Sequence, residues 1–437
     1  MSSPVVNVGI VADKAISLVF HDEYIHVEEG IFLRGEYRAV FVNNKILFNG
    51  KWYEELFFEP ASSHASFELK AVTFGIGFHW ERKEDLRFKG SLNLIIDEEQ
   101  IVAINQVDIE EYLHSVISSE MSASASKELL KAHAIISRSW LLAQIEQAQT
   151  VPVAATESAI PDTETEERIR WYNREDHTLF DVCADDHCQR YQGITRAHSR
   201  VVNEAVNETR GELLVYGGQV CDTRYSKCCG GASELYENCW DETPHFYLTP
   251  IRDAEQGELP SLNNEQGAES WLRSTPTSFC SDADASVLKQ VLNGYDQETI
   301  DFYRWKLSYS QEELSELIHR RSGIDFGLIR DLIPIERGVS GRIVKLRIVG
   351  NKKQLVVGKE LEIRRLLSES HLYSSAFVVD KEMDEAGNAT RFTLTGGGWG
   401  HGVGLCQIGA AVMSSKGYDY RQILAHYFPA ACLEKRY

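Results

Sequence analysis

The sequence predicts an α+β protein: an N-terminal β-rich domain joined to a mixed α/β core, with a C-terminal glycine-rich lobe completing that core. Three observations predict it. Residues 31–60, IFLRGEYRAVFVNNKILFNGKWYEELFFEP, are dense in aromatic and β-branched residues and are punctuated by the turn pairs Asn43-Asn44 and Asn49-Gly50. From Val107 the period lengthens, and Ile109, Leu113 and Val116 recur at spacings of four and three on one helical face. Toward the C-terminus, glycine becomes frequent in TGGGWGHGVGLCQIGA.

Taken in chain order, VNVGIVAD reads as a first strand, and RFKGSLNLII alternates with Phe88, Leu92 and Leu94 on one face. VDIEEYLHSVISSEM and KELLKAHAIISRSWLLAQ read as two successive helices. An acidic stretch with two prolines follows, TVPVAATESAIPDTETEERIRWYN, and reads as an exposed insertion within about 145–176. In YSQEELSELI, Ser310 and Glu313 stand at capping-box spacing ahead of Leu314, Leu317 and Ile318. GRIVKLRIVGNKKQLVVG reads as a hairpin-like pair of strands, and YRQILAHYF as a short final helix. The expected organisation is a β-rich domain over 1–100, a core over 101–250 carrying the acidic insertion and a Cys/His cluster, and a mixed segment with the glycine-rich lobe over 251–437. No repeat at a fixed period is present.

With 437 residues, 43% hydrophobic and 25% charged, the chain supports one large core or two to three smaller ones. A formal net charge of -20 repels phosphate backbones, which argues against nucleic acid as a partner. No apolar run approaches the roughly 20 residues of a membrane-spanning helix. The N-terminus shows no basic segment ahead of an apolar core, so no signal peptide is read there. Nine cysteines, an odd number spread over a long chain, do not form a disulfide framework, although six of them cluster between 183 and 239.

Three places carry chemistry. Four residues beyond Val116, the stripe of the first helix lands on Glu120, a single carboxylate near the helix C-terminus. Burial and the negative end of the helix dipole both disfavour its charged form, as a general acid requires. The pattern alone favours the plainer reading, a half-exposed glutamate ending the helix and paired with a base such as Arg138. Second, DHTLFDVCADDHCQRYQG puts His177, Cys183, His187 and Cys188 within twelve residues, either metal ligands or reduced cysteines packed as small hydrophobes. Third, the glycine-rich block lacks the Lys-Ser/Thr ending of a phosphate loop, and reads as a cleft wall or a tight structural turn. As a wall it would offer Trp399 for stacking, with His401 and Gln407 as hydrogen-bonding groups.

INQVDIEEYLHSVISSEMSASASKELLKAHAIISRSW resembles the core motif of the stage II sporulation protein D family, which includes the amidase-enhancer proteins. Further blocks resemble the family in the same order: GELLVYGGQVCDTRYSKCCGGASE, SGRIVKLRIVG with RRLL and SSAF, and GGGWGHGVGLCQIGAAVMSSKGYDYRQILAHYFP. The proline that often follows SEM is Ser122 here, and the serine before the glutamine of the glycine-rich block is Cys406.

The resemblance implies a lytic transglycosylase acting on peptidoglycan glycan strands, with Glu120 as its catalytic residue within the core and Arg138, Trp399, His401 and Gln407 contacting substrate. One acid suffices for such an enzyme, because the muramic 6-hydroxyl supplies the nucleophile and closes on C1 to leave a 1,6-anhydro sugar. The resemblance also implies zinc on His177, Cys183 and Cys188, with water, an unidentified residue or His187 completing the set. The alternative it offers is a glycan-binding accessory that stimulates a cell-wall amidase. A zinc amidase using the Cys/His cluster is a third reading, which two charge-donating thiolates disfavour. The family acts at the cell envelope, whereas the N-terminus read here fits the cytoplasm, where a member would act on recycled glycan fragments.

Overall fold

The computed structural model describes residues 3–75, 81–122, 124–150, 167–171, 177–185, 187–195, 199–292 and 301–437, with the backbone alone for 148–150. The acidic insertion expected at about 145–176 therefore lies mostly outside the described residues. The architecture is α+β with a strand-rich N-terminus. The chain divides into two compact units: Met1–Pro152 with Glu175–Asp222 and Leu433–Tyr437, and Val153–Arg174 with Thr223–Cys432.

In the first unit, ten strands precede any helix: β1 (Val5–Asp13), β2 (Ala15–His26), β3 (Ile31–Val42), β4 (Lys45–Phe48), β5 (Lys51–Tyr53), β6 (Leu56–Pro60), β7 (Ser66–Phe74), β8 (Arg82–Lys89), β9 (Ser91–Asp97) and β10 (Gln100–Asp108). They build an antiparallel sheet in the order β1-β10-β9-β6-β2-β3-β4-β5, with β7 and β8 branching from β2. Alternation drives it: Ile16, Leu18 and Phe20 of β2 are buried on one face together with Phe58, Phe67 and Phe88. The expected turns form as read. Asn43 and Asn44, both at positive φ, join β3 to β4, and Asn49-Gly50, also at positive φ, joins β4 to β5. Two consecutive positive-φ residues match the right-handed strand twist, which explains the asparagines and glycine there.

RFKGSLNLII is not one strand. Gly90 interrupts it at φ 84, and a Cβ there would stand 2.2 Å from the Gln106 carbonyl oxygen. The chain changes partners at that glycine, β8 pairing with β7 and β9 with β6 and β10. Phe88, Leu92 and Leu94 are nevertheless all buried, because the two-residue period survives the break.

β10 runs straight into α1 (Ile109–Glu120), whose start is capped by the Asp108 side chain accepting from the Glu110 N–H at 2.9 Å. α2 (Lys127–Thr150) and α3 (Arg200–Glu208) pack against α1. Ile109, Leu113 and Val116 are fully buried, as the stripe predicts.

The second unit is built from sheets and short helices. Ile343–Gly350 and Gln354–Gly358 form the expected hairpin, extended on one side by Ile329–Arg337. Arg304–Ser310, Ala389–Gly397 and Phe377–Met383 form another sheet. Helix Gln311–Ser322 opens with the Ser310–Glu313 capping box and closes on Gly323 in the left-handed conformation. Leu314, Ile318, Phe326, Ile343, Leu346, Phe392 and Leu394 share one apolar core.

His371 borders that core, and burial, reinforced by Arg364, Arg365 and Arg321, pushes its protonation down to about 4. Its folded-state value lies below the unfolded 6.5, so its contribution to stability is present above pH 6.5 and lost as pH falls toward 4. Replacement by Gln should flatten that limb, so the gap in urea midpoint between wild type and His371→Gln should change across this window. A constant gap would contradict the assignment.

Candidate functional site

Glu120 is the last residue of α1, and Met121 leaves the helix in extended conformation. The carboxylate is half-buried while the stripe below it is fully buried, so it sits where the apolar face meets the surface. The Arg190 N–H donates to its Oε1 at 3.3 Å, and among the described residues no ion pair reaches it. The paired-base alternative is set aside, because Arg138 is committed elsewhere.

The segment that supplies Arg190 is pinned along α1. The Tyr112 hydroxyl donates to Gln189 Oε1 at 3.2 Å, and the Gln192 N–H donates to Ser115 Oγ at 3.0 Å. Tyr191 stacks on Tyr112 at 5.0 Å and donates its hydroxyl to Asn105 Oδ1 at 2.7 Å. Sequence reading missed this segment, since nothing in QRYQ marks it as a partner of a helix 70 residues away.

The same loop carries the Cys/His cluster. Val182 and Cys183 add as a short parallel strand beside Val8 and Gly9 of β1, and Phe180 packs over Gly9, where a side chain would collide with its ring. The ligand atoms of His177, Cys183, His187 and Cys188 all lie within 4.8 Å of one another. Cys188 Sγ stands 3.6 Å from His187 Nδ1, and the His177 and His187 rings meet edge-on at 5.1 Å. The neighbouring Cys188 thiol and burial push the Cys183 thiol up to about 11. Two thiols and two imidazoles this close match the Cys₂His₂ donor set of a closed tetrahedral site. His187 stands with the other three, in reach of the fourth place that the sequence left open.

In the second unit, Trp399 is half-buried, pairs its backbone with Cys228, and lies between Phe302 and Tyr373 at ring distances of 4.7 and 4.5 Å. His401 meets Trp240 at 4.6 Å and accepts the Val403 N–H on Nδ1 at 3.0 Å. Burial, with Arg224, Arg342 and Arg364 nearby, holds its protonation well below the ordinary range, so it is neutral. The glycines around it have a plain cause. Gly398, Gly400, Gly402 and Gly404 all have positive φ, and a Cβ on Gly402 would stand 2.4 Å from the Arg342 guanidinium. The block is wound round Arg342, which donates to the Gly400 carbonyl at 3.0 Å, the Cys229 carbonyl at 3.3 Å and Ser340 Oγ at 2.9 Å. Ser340 in turn donates its hydroxyl and its N–H to buried Glu234 at 2.6 and 3.2 Å.

With this geometry in place, comparison with known proteins is informative. Residues 97–216 match the model of the stage II sporulation protein family, and residues 234–404 match that of a domain of unknown function. Over 334 residues, 74% of this chain, the sequence is 24% identical to the amidase enhancer of Bacillus subtilis strain 168. It is 20% identical over 328 residues to stage II sporulation protein D of the same organism. Residues 97–216 carry the stage II sporulation protein domain, and the similarity to the amidase enhancer and to stage II sporulation protein D supports that family. An uncharacterized protein of Brachyspira hyodysenteriae is 24% identical over 344 residues. The match covers 40% of the amidase enhancer's length, against 74% of the sporulation protein and 71% of the Brachyspira protein.

The sporulation-protein match contains Glu120, Arg138 and the Cys/His cluster, while the second match contains Trp399 and His401 and ends before Gln407. Two of the expected substrate contacts prove to be interior. Gln407 is 2% exposed at the start of helix Gln407–Ser415. Arg138 is fully buried: its Nε and Nη2 donate to the two oxygens of Glu110 at 3.0 and 2.7 Å, and its Nη1 donates to the Glu212 carbonyl at 3.1 Å. Neither presents a surface to a glycan strand. The arginine of the motif is an architectural residue, and its acid, Glu110, was hidden among the acids of VDIEEY.

Removing one partner of such a pair strands the other charge in the core. Glu110→Ala should cost about 3–5 kcal/mol of unfolding free energy in denaturant titrations, and a loss below about 1 kcal/mol would show that the pair carries little.

Proposed function

We propose that this protein engages the glycan strands of peptidoglycan at the cell envelope as an accessory to a cell-wall amidase. The observation that carries this reading is the similarity, across 74% of the chain, to a protein named for enhancing an amidase. It asks of the fold a stable glycan-facing body, without requiring that a bond be cut.

A second reading, lytic transglycosylase, is favoured by Glu120. Its carboxylate sits at the rim of a buried helical face, Oε1 is oriented by the Arg190 N–H, and no described cation neutralises it. A group so held can give a proton to the bridging oxygen between N-acetylmuramic acid and N-acetylglucosamine. As a carboxylate it can then take the proton of the muramic 6-hydroxyl while that oxygen closes on C1. Ring closure is intramolecular, so one well-placed group serves both steps.

Zinc suits the donor set of His177, Cys183, His187 and Cys188, and would supply a structural cross-link. With four protein ligands the site is closed, which argues against metal-activated water and hence against an amidase of this chain's own. Two residues past Cys188, Arg190 orients Glu120, so fixing the loop fixes the carboxylate.

Two experiments test these readings. Denuded glycan strands, incubated with the protein and analysed by mass spectrometry, should show no new anhydro-muramic ends under the accessory reading. Under that reading both wild type and Glu120→Gln should raise peptide release by an added amidase. Anhydro ends from wild type, reduced about 100-fold or more in Glu120→Gln, would instead establish the lyase. For the loop, Cys183→Ser should lower zinc content and speed amide exchange at Arg190 and Gln192. Unchanged exchange would separate the cluster from Glu120.

A further inference from the structure

Inside the second unit, four side chains from distant parts of the chain converge. The ligand atoms of Cys229, Asp253, Cys280 and Cys406 lie within 4.8 Å of one another, and all four residues are buried. Cys229 Sγ and Cys280 Sγ are 3.8 Å apart. Two sulfurs on a tetrahedral ion at a bond length of about 2.3 Å are separated by about 3.8 Å, whereas a disulfide brings them to about 2 Å.

The surrounding backbone is arranged for an anion. Cys406 Sγ accepts the N–H groups of Cys229 at 3.2 Å and Gly409 at 3.4 Å, the latter from the first turn of the helix that Cys406 caps. Asp253 is fully buried, accepting the Tyr427 hydroxyl at 2.7 Å and the Cys280 N–H at 3.1 Å, with His426 Nε2 at 3.8 Å. A buried carboxylate among thiols and neutral donors is stable either protonated or beside a cation.

We propose that Cys229, Asp253, Cys280 and Cys406 form a second, closed metal site for a thiophilic divalent cation of the zinc class. Binding exchanges the three thiol protons, and any proton on Asp253, for the cation. Three sulfurs select zinc-like ions over magnesium or calcium. The ion would tie the Cys228–Gly231 turn, the Asp253 loop, the Phe279–Ser281 turn and the N-terminus of helix Gln407–Ser415 into one block. This assignment is independent of any activity on glycan.

The test is metal counting by difference on the full chain, reconstituted with Zn²⁺ and freed of excess by gel filtration. Cys280→Ser should lose one equivalent relative to wild type, whatever the His177 cluster holds. Should Cys280→Ser misfold, the double variant Cys183→Ser/Cys188→Ser reads the same site: loaded with Co²⁺, it should keep the charge-transfer absorption of three cobalt–thiolate bonds. Alkylation of the unfolded wild type without reductant should modify all nine cysteines. Zinc content unchanged by Cys280→Ser, absence of thiolate charge transfer in the double variant, or a missing pair of alkylations from a Cys229–Cys280 disulfide would each overturn the proposal.

Discussion

A guanidinium cannot give up its charge in the protein interior, so each buried arginine obliges the fold around it to supply acceptors. Among the described residues, the two largest fully buried side chains are both arginines, Arg138 and Arg342. Each unit is organised by one of them. Arg138 gathers α1 through Glu110, α3 through the Val206 carbonyl at 3.5 Å, and the strand after α3 through Glu212. Glu110 also accepts the hydroxyl of Tyr437 at 2.9 Å, so the last residue of the chain closes the same knot. Arg342 binds the Cys228–Gly231 turn, the Ser340 bend and the glycine-rich block.

These two hubs change what the sequence motifs mean physically. The arginine beyond SEM and the run GWGHGVG both suggest contact with a ligand when read as strings. In the structure the first is consumed by Glu110, and the second is backbone that must come close to Arg342. A glycine there is required by the absence of room for a Cβ and by positive φ. Next to that architecture stands Glu120, on the helix that Glu110 anchors.

The loop from His177 to Gln192 joins the sheet to that helix. One end is stitched to β1 as a parallel strand, and the other lies along α1 through Gln189, Tyr191 and Gln192. The side chains of His177, Cys183, His187 and Cys188 converge in this loop, Cys183 from the strand itself and His187 and Cys188 from the stretch that leads on to α1. A metal held there would tie the rigid sheet to the segment whose Arg190 N–H meets Glu120.

By itself the sequence determined the elements whose signals are local. The Asn-Asn and Asn-Gly turns, the stripe of Ile109, Leu113 and Val116, and the Ser310–Glu313 capping box all formed as read, because each depends on residues a few positions apart. It also located Glu120 at the end of its helix and placed His177, Cys183, His187 and Cys188 within one loop. Only the tertiary structure decided the partners of charged and polar groups. Arg138 chose Glu110 over Glu120, His187 joined the other three ligands, Gln407 turned inward, and Cys229, Asp253, Cys280 and Cys406 met across 177 positions of chain. Pairings of this kind are set by which surfaces the hydrophobic core brings together, and a linear pattern carries no record of that distance.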